Sequence, residues 1–339
     1  MYKCAPLLVP TLCRDKHFIR MIESLKRNSW AKYTPVYVAL DYPPAEKYFS
    51  GYNKICEYLE GEFPEFLEFN IVKRDVNYGS MSNMQELEKE VLKKHDRFIR
   101  TDDDAEFSSN FLEYMNKCLE KYKDDPNVFA VTGYSYPIQW NVSSGATILK
   151  ENFSCPMWGT GFWRDKFLKV STFINSNGLL NSSQEMVVDG KYKQMIDRCK
   201  YEFVNLCLST SNDELTLANC VSDVALRIYT AAYNKYVIVP LVSKVRNWGF
   251  DGTGEYCQQI NKMTAKVSAS NYLYHLQPID TSPTFNIEED KFNDVQTNMN
   301  IMNDFDVISL NMRLKMNIKL LMYRVLGSCI YKKLMSVIR

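Results

Sequence analysis

The stretch FIRTDDDAEF, residues 98–107, places three consecutive aspartates shortly after an apolar Phe-Ile pair that is typical of the end of a buried strand. The three acids are Asp102, Asp103 and Asp104. Like charges this close repel one another and raise each other's pKa. The triplet therefore needs bulk water, a basic partner or a metal ion to stabilise it, and the rest of the sequence has to decide among these.

Outward from this stretch, apolar spacing predicts strands that alternate with helices over residues 1–135. The predicted strands are APLLVPTLCR, TPVYVALD, LEFNIVKRD, DRFIRTDDDAEF and VFAVTGYSY, and the predicted helices are HFIRMIESLKRNSW, YNKICEYLEGEF, GSMSNMQELEKEVLKKH and SNFLEYMNKCLEKYKDD. The third helix is expected to start at a serine cap. This alternation is typical of βαβ units, and it predicts an α/β fold with a mostly parallel sheet flanked by helices. Ligands of such sheets bind beyond the carboxyl ends of the strands, where Asp41 and the acid triplet would both lie.

The pattern is weaker after Ser135, and we expect three parts: residues 1–135, 136–280 and 281–339. The middle part contains an aromatic and glycine-rich stretch, a helix in SDVALRIYTAAYNKY, a strand in VIVPLVSKV and a glycine-bearing loop in RNWGFDGTGEY. TSPTFNIEEDKFNDVQTN is predicted to be an exposed linker to a C-terminal helical extension.

Composition excludes some classes of protein. The 339 residues carry a formal net charge of +1, which argues against general nucleic-acid binding. Ten scattered cysteines without a CxxC pair indicate small buried side chains in a reducing compartment. The start, MYKCAPLLVP, is broken too early by proline for a signal peptide, and no apolar run reaches the ~20 residues of a membrane span. We therefore expect a cytoplasmic protein.

The C-terminal stretch differs from the body, because Val307–Arg339 contains no Asp or Glu. Its seven basic residues are Arg313, Lys315, Lys319, Arg324, Lys332, Lys333 and Arg339. One face of a helix here would carry Ile318, Leu321, Met322, Val325, Leu326 and Cys329. This composition predicts an amphipathic helix on an anionic membrane surface, at the inner face of the cell membrane. The alternative is a helix that packs on the body of the protein or on a second subunit.

A divalent cation is one answer to the acid triplet. Mg²⁺ or Mn²⁺ binds one or two protein carboxylates together with waters and phosphate oxygens. Residues i and i+2 of an extended segment point the same way, so Asp102 and Asp104 can face one ion while Asp103 faces elsewhere. The alternative is a solvated turn.

Several segments, taken in order, resemble GT-A glycosyltransferases of the bacterial family-two-like kind, which build capsule and O-antigen polysaccharides. They are VPTLCR, Asp41 after the second strand, RDVNYGSMSN, the Asp-x-Asp of the triplet, MWGTGFWRDKF and PLVSKVRNWGFDGTGEYC, over roughly residues 5 to 257. The Asp-x-Asp is a weak signal alone, and the ordered set is much stronger.

The resemblance implies a GT-A fold, with a nucleotide-sugar-binding half in residues 1–135 and an acceptor half in residues 136–280. It implies inverting transfer of a sugar from a nucleotide-diphospho-sugar, most simply a UDP-sugar, to a glycan or lipid-linked glycan. The cofactor would be Mn²⁺ or Mg²⁺, held by Asp102 and Asp104.

The resemblance also assigns the donor site. Residues placed around the nucleotide and its sugar are Pro10, Thr11, Arg14, Asp41, Arg74, the Gly79–Asn83 loop, Asp102 and Asp103. The sugar floor would be Trp158, Gly159 and Trp163, with Gly161 between them. A loop over the diphosphate would contain Asn247, Gly249, Asp251, Gly252 and Gly254, with Lys244 and Arg246 to balance the phosphates. The alternatives are structural: a turn acid for Asp41, a helix cap for Gly79–Asn83, core packing for the tryptophans and surface solvation for the two basic residues.

Inverting transfer needs a general base for the acceptor hydroxyl. The resemblance points to an acid at the start of a helix, and Asp223 fits best, with Asp213–Glu214 as the second choice. Asp223 can equally be a helix cap, and Val224 follows it where relatives often carry Trp or a second acid. Tyr256 stands where many relatives carry His, and His275 is the candidate to replace that ligand.

Two other classes remain open. A sugar nucleotidyltransferase also uses an α/β sheet and acid-bound Mg²⁺, but it should carry a glycine-rich loop after the first strand, and VPTLCRDKHF has no glycine. The other is a non-catalytic glycan-binding or scaffold protein, which would bind glycans without hydrolysing a donor.

Overall fold

The computed structural model describes residues 4–135, 142, 145–151, 155–175, 226, 229–230, 233–249, 251, 253–254, 278–289 and 310–338. The chain divides into two compact units. The first comprises Met1–Lys150, Pro156–Asp165 and Val237–Asn293, and the second comprises Glu151–Cys155, Lys166–Tyr236 and Asp294–Arg339.

Strands and helices alternate through residues 1–135 as predicted, and the elements named next include those of both units. The strands are β1 (Leu7–Thr11), β2 (Pro35–Leu40), β3 (Glu68–Lys73), β4 (Arg97–Arg100), β5 (Ala105–Phe107), β6 (Val128–Thr132), β7 (Ile148–Glu151), β8 (Thr160–Trp163), β9 (Tyr236–Pro240) and β10 (Val245–Asn247). The helices are α1 (Asp15–Lys26), α2 (Phe49–Leu59), α3 (Ser80–Leu92), α4 (Phe111–Lys121), α5 (Arg164–Asn175) and α6 (Leu310–Ile338).

The described part of the chain contains an eight-stranded sheet in the order β3-β2-β1-β4-β8-β6-β9-β7. β1 pairs in parallel with β2 and with β4, and β2 pairs in parallel with β3. β8 is antiparallel to β4 and to β6. α3 packs on β1, β2 and β4, while α4 packs on β6 and β8. The predicted class, α/β with a mostly parallel sheet flanked by helices, is confirmed.

Burial explains why these segments fold as they do. Leu7, Leu8 and Val9 of β1 are fully buried, as expected for a strand with neighbours on both sides. In α1 the buried apolar residues follow the helical spacing seen in the sequence: Phe18, Met21, Ile22 and Leu25. A continuous apolar run therefore identified the strand, and the helical period identified the helix that follows it.

Three local predictions were wrong. DRFIRTDDDAEF is not one strand, because β4 ends at Arg100 and the aspartates form a turn before β5. Asp102 and Asp104 therefore do not lie on an extended segment. VIVPLVSKV is also divided, and its second part, β10, pairs antiparallel with β5. The N-cap of α3 is Gly79, with φ of 75°, and not a serine.

Residues 278–289 belong to the first unit, and most of them are exposed, as predicted for the linker that begins at residue 281. Phe285 is buried, and its ring meets that of Tyr114 edge-on, with centroids 4.9 Å apart. Lys117 Nζ donates to the backbone oxygen of Phe285 at 2.6 Å, and Asp280 forms an ion pair with Lys244. The polar composition of this segment gave no sign of the buried aromatic side chain or of the ion pair with a buried lysine.

In the second unit, α6 is broken at Gly327, whose φ is 73°. Before this break the helix exposes an apolar row: Leu314, Ile318, Leu321 and Val325. In the residues that the structure describes, no helix combines the length and the apolar character that crossing a membrane requires.

Candidate functional site

The strand order reverses at β1, which makes the gap between β1 and β4 the switch point of the sheet. From β1 the chain moves outward to β2 and β3, and then returns to β4 on the other side of β1. Thr11 ends β1, and the acid triplet follows β4. Ligands of parallel α/β sheets bind at such a point, beyond the carboxyl ends of the strands.

A buried cluster joins the two strand ends. Arg14 Nη1 donates to Asp104 Oδ2 at 2.8 Å, and Arg14 Nη2 forms an ion pair with Asp103 Oδ1. The hydroxyl of Thr11 donates to Asp103 Oδ2 at 2.9 Å. Asp103 and Asp104 are 5% and 8% exposed, so both carboxylates are largely removed from water. Of the three possible ways to stabilise the acid triplet, this structure contains a basic partner, Arg14.

One carboxylate oxygen of Asp104 has no hydrogen-bond partner among the described residues. This atom, Oδ1, is buried. Burial raises the pKa of Asp104, which Arg14 opposes and the neighbouring Asp103 charge reinforces. Burial also opposes a charged Arg14, but Asp103 and Asp104 outweigh it and raise the pKa of the guanidinium. The site thus holds an electron-rich oxygen that faces none of the described donors.

Asp102 differs from the other two acids, because it is only partly buried. The structure brings Asp103 and Asp104 together on Arg14, whereas the sequence argument placed Asp103 on the opposite side from its neighbours. The described residues contain no group of three His, Cys, Asp or Glu side chains that could hold a metal ion. The assignment of Asp102 and Asp104 as metal ligands stays a prediction.

The loop after β10 reaches the same cluster. Trp248 N donates to the backbone oxygen of Asp104 at 2.8 Å, and Gly249 N donates to Asn247 Oδ1 at 2.6 Å. A Cβ at Gly249 would lie 2.1 Å from Asp104 Oδ2. This loop, predicted to lie over a diphosphate, therefore contacts the acid that was predicted to hold the metal.

Side chains from α1 hold the loop on its other side. His17 Nε2 lies 3.1 Å from Asp251 Oδ2 and 3.3 Å from the backbone oxygen of Trp248. Arg20 lies over the Trp248 ring at 4.4 Å. The Trp248 indole N–H donates to Glu106 at 2.8 Å. Sequence reasoning missed His17 and Arg20, because their partners lie far away along the chain.

Asp41 organises the end of β2. Its Oδ1 accepts the backbone N–H groups of Tyr42 at 2.9 Å and Tyr78 at 2.8 Å, and its Oδ2 accepts from Asn77 at 3.2 Å. Asp41 N in turn donates to the backbone oxygen of Thr11. These bonds fit the turn alternative for Asp41, and contact with uracil or ribose stays a prediction.

Arg74 and Asn83 tie α3 to the same edge of the sheet. Arg74 Nε donates to Asn83 Oδ1 at 3.0 Å, and Nη1 lies 3.2 Å from Glu90. Asn83 Nδ2 donates to the backbone oxygen of Ala39 at 2.9 Å. Gly79 caps the helix between them, as the structural alternative required. Pro10 lies in β1 directly before Thr11.

The aromatic segment is divided between core and surface. Trp163 is buried in β8, and its indole N–H donates to Leu119 of α4 at 3.0 Å, so the core alternative holds for this residue. Trp158 is partly exposed and meets the ring of Tyr134 edge-on, with centroids 4.9 Å apart. Gly161 packs against Met115 and Leu119 of α4, where a Cβ would lie about 3 Å from both.

Gly159 has φ of 64°, and a Cβ there would lie 2.9 Å from both Phe111 and Val245. Close packing alone is enough to require the glycines at 159 and 161, and the donor-site role of Gly159 stays a prediction. Lys244 is not on the surface, and its contact with phosphate stays a prediction. It is buried in an ion pair with Asp280 and lies over the Phe285 ring at 4.9 Å. Arg246 lies 3.6 Å from Glu106.

Some predicted site residues lie outside the described residues. They are the base candidates Asp223, Asp213 and Glu214, together with Gly252, Tyr256 and His275. Gly254 is described, in the turn that follows Asp251.

Gly51, in the first turn of α2, allows the loop that carries Arg14 to lie close to this helix. A Cβ at Gly51 would lie 1.9 Å from the backbone oxygen of Cys13, the residue before Arg14. The loop that carries Arg14 can therefore lie against α2 only because residue 51 has no side chain. A lone glycine in a predicted helix is the signal that could have revealed this close approach.

No family profile matches the sequence, and no curated protein matches it. Solved structures overlap it in outline. TarS 1–349 of S. aureus aligns over 80% of this chain and 79% of its own, with 12% identity and a TM-score of 0.36. Another structure of S. aureus TarS aligns over 50% of this chain and 29% of its own, with 12% identity and a TM-score of 0.35.

The mannosyltransferase PcManGT from Pyrobaculum calidifontis, in complex with GDP-Man and Mn²⁺, aligns over 49% of this chain, with 14% identity and a TM-score of 0.33. This chain spans 46% of that structure. Because identity and overlap are this low, function has to be inferred from the residues of the site.

Proposed function

We propose that this chain is a metal-dependent glycosyltransferase that moves a sugar from a nucleotide-diphospho-sugar, most simply a UDP-sugar, to a glycan or lipid-linked glycan acceptor in surface polysaccharide synthesis. The observation that carries the proposal is the buried acid pair at the switch point of the sheet. Two carboxylates out of water are costly unless they have a function or a partner. Here their one shared cation leaves Asp104 Oδ1 open.

The residues fit a divalent cation in a limited and specific way. Mg²⁺ and Mn²⁺ are held by one or two carboxylates plus substrate phosphates, so a cluster of three acids is not required. Asp104 offers an unpartnered oxygen, and Asp102 lies in the same turn. Asp102 and Asp104 would hold Mn²⁺ or Mg²⁺. When bound, the ion supplies positive charge to the diphosphate leaving group.

The donor half is proposed to form around the same strand ends. Thr11 and Arg14 stand beside Asp103, while Asp41 and Asn83 order the neighbouring end of β2. These residues would position the nucleotide, and the Asn247–Gly249 loop would lie over the diphosphate. The proposed division into a donor half and an acceptor half follows residues 1–135 and 136–280.

Acceptor activation is assigned to Asp223, with Asp213–Glu214 as the second choice, on the resemblance alone. The base would take the proton from the acceptor hydroxyl as that oxygen attacks the anomeric carbon, with inversion and without a covalent intermediate. Asp223→Asn should lower transfer to the acceptor while leaving nucleotide binding unchanged.

A peripheral position on the inner face of the cell membrane would bring the enzyme to a lipid-linked acceptor. Two observations support this position. The four apolar side chains of the α6 row are 49% to 73% exposed, and their spacing places them on one face. Lys315 and Lys319 are exposed beside them, in a stretch without a single acid. Apolar contact combined with basic charge is the pattern that binds anionic lipid.

Thermal unfolding with a panel of UDP-, GDP- and CMP-sugars and Mn²⁺ tests the proposal. We expect a UDP-sugar with Mn²⁺ to raise the Tm of the wild type, because a ligand that binds only the folded state stabilises it. Asp104→Asn, which preserves the shape of the side chain, should lose the Mn²⁺-dependent part. Asp124→Asn, an exposed acid after α4, is the matched control. An undiminished shift in Asp104→Asn would contradict the metal assignment. Glycan binding without donor hydrolysis would favour the non-catalytic class.

A further inference from the structure

The Arg14 guanidinium occupies the position beside Asp104 that a divalent cation would also have to use. Nη1 contacts Asp104 Oδ2, Nη2 contacts Asp103 Oδ1, and the arginine side chain is 21% exposed. One guanidinium against two carboxylates leaves one negative charge uncompensated. Arg14 therefore stabilises the two carboxylates in the folded protein but does not neutralise both of their charges.

We propose that Arg14 is a resident counter-cation, which competes with the divalent cation for Asp104 and moves to the donor diphosphate when metal and nucleotide bind together. This inference rests on the proposed function, which it deepens by stating how the site is regulated. It assigns Arg14 a specific exchange of partners, beyond a place in the nucleotide pocket.

The physical reason is charge balance in a site with little water. A divalent ion next to a guanidinium on the same carboxylates experiences strong repulsion, because the local dielectric is low. Mn²⁺ alone should therefore bind weakly. A diphosphate removes the conflict, since its oxygens can ligate the ion and also accept a bidentate hydrogen bond from the guanidinium.

The backbone at Arg14 suits such an exchange. Arg14 is the N-cap of α1, with φ of −84° and ψ of 65°, and only its backbone oxygen takes part in the helix, by accepting from Phe18 N at 2.9 Å. Its side chain can therefore change partners without the unwinding of α1. The ion pair between Arg100 and Glu88 differs from that of Arg14, because both of its residues belong to regular elements, Arg100 to β4 and Glu88 to α3. Both side chains are nearly buried, and Arg100 Nη1 lies 3.0 Å from Glu88 Oε1.

Binding of Mn²⁺, with and without UDP, measures the competition directly, by electron paramagnetic resonance of the free ion or by calorimetry. Arg14→Met should bind Mn²⁺ about tenfold more tightly than the wild type without UDP. UDP should raise the Mn²⁺ affinity of the wild type by about tenfold and that of Arg14→Met by much less. Lys16→Met removes an exposed positive charge from α1 and should match the wild type.

Equal Mn²⁺ affinity of Arg14→Met and the wild type, with UDP–Mn²⁺ binding intact in the wild type, would overturn the competition and leave the proposed function standing. A wild type that binds no nucleotide with Mn²⁺ would overturn both. These two failures are therefore distinguishable.

Arg14→Met can also fail to fold without metal, because it leaves two buried acids unpaired. Thermal unfolding then replaces the binding assay. The proposal requires Mn²⁺ alone to raise the Tm of Arg14→Met more than that of the wild type. It also requires the double variant Arg14→Met, Asp104→Asn to lose this gain. An Arg14→Met protein that Mn²⁺ does not stabilise would overturn the inference.

Discussion

Gly249 lies so close to Asp104 that a Cβ on residue 249 would be 2.1 Å from Oδ2 and 2.8 Å from Cγ of the carboxylate. The contact is with the functional end of the acid, not with its backbone. Trp248 N also donates a hydrogen bond to the backbone oxygen of Asp104 at 2.8 Å. The loop after β10 therefore fixes where the Asp104 carboxylate points. Any side chain at residue 249 must displace either the loop or the carboxylate.

Gly249→Ala should impair the site more than the fold. Displacement of a catalytic group by about 1 Å costs on the order of 100-fold in rate, so we expect a loss of about that size in sugar transfer. The Mn²⁺-dependent Tm shift with a UDP-sugar should also shrink. Gly61→Ala is the control, because its Cβ would approach only a backbone oxygen of the α2 end, at 3.3 Å. Full nucleotide affinity in Gly249→Ala would show that the loop is not coupled to Asp104.

Thr11→Val tests whether the hydroxyl of Thr11 stabilises the acid pair. Valine keeps the shape of the side chain but leaves Asp103 Oδ2 without the donor that now lies 2.9 Å away. An acceptor that loses its partner inside the protein costs about 1–3 kcal/mol of unfolding free energy. Urea denaturation with an unchanged slope would measure this. Thr11→Ser keeps the donor and should recover most of the loss, and equal stabilities for Val and Ser would contradict this role.

The sequence predicted the order of strands and helices well where the apolar period was strong. α1 followed from the helical spacing of its buried residues, whereas β1 and β2 followed from short, nearly continuous apolar runs. The division at residues 101–104 was not visible, since four polar residues inside an otherwise strand-like stretch suit a turn and an edge strand equally. The prediction of an extended Asp-x-Asp failed for that reason.

Contacts between distant residues were the second limit. Arg14 and Asp104 are 90 residues apart, and Lys244 and Asp280 are 36 apart. The sequence identified all four as charged and placed two of them at one edge of the sheet. Which charges meet depends on the strand order, and spacing along the chain does not determine it. Lys244 illustrates the consequence, because a lysine in a predicted loop turned out to be buried.

Asp280 should make stability depend on acid pH. Burial disfavours its charged form, but hydrogen bonds from Asn110, Lys244 and Ser282 outweigh this and lower the pKa of Asp280 to about 2. The folded pKa is therefore below the unfolded value. The stabilisation is fully present above about pH 4 and is lost as the pH falls through about 2.

The expected contribution of Asp280 is about 1–2 kcal/mol after allowance for solvent screening. Asp280→Asn should be less stable than the wild type at pH 7, and the difference should narrow as the pH falls from 4 toward 2. Denaturant unfolding at several pH values measures this. Asp124→Asn provides an exposed control with no such trend. A gap that stays constant with pH would mean that the Asp280 charge does not stabilise the fold.

The exposed apolar row of α6 should bind vesicles that contain anionic lipid. A buried Leu or Val side chain contributes about 1.5–3 kcal/mol, so Leu321→Ser with Val325→Ser should weaken binding by tenfold or more. Lys315→Gln with Lys319→Gln should weaken it by about 30-fold, because each lysine near an anionic surface contributes about 1 kcal/mol. Leu67→Ser removes an equally exposed apolar side chain from the first unit and should have no effect.

Co-sedimentation with vesicles of phosphatidylglycerol and phosphatidylcholine measures these changes. Added salt should reduce binding of the wild type more than that of the lysine variant, which keeps five of the seven basic residues. Light scattering after size-exclusion chromatography distinguishes the other occupant of this face, a second copy of the chain. The contrary outcome is a wild type that forms a dimer and does not bind anionic vesicles, while the double variant Leu321→Ser, Val325→Ser is a monomer. In that case the row is a subunit interface and the membrane assignment is wrong.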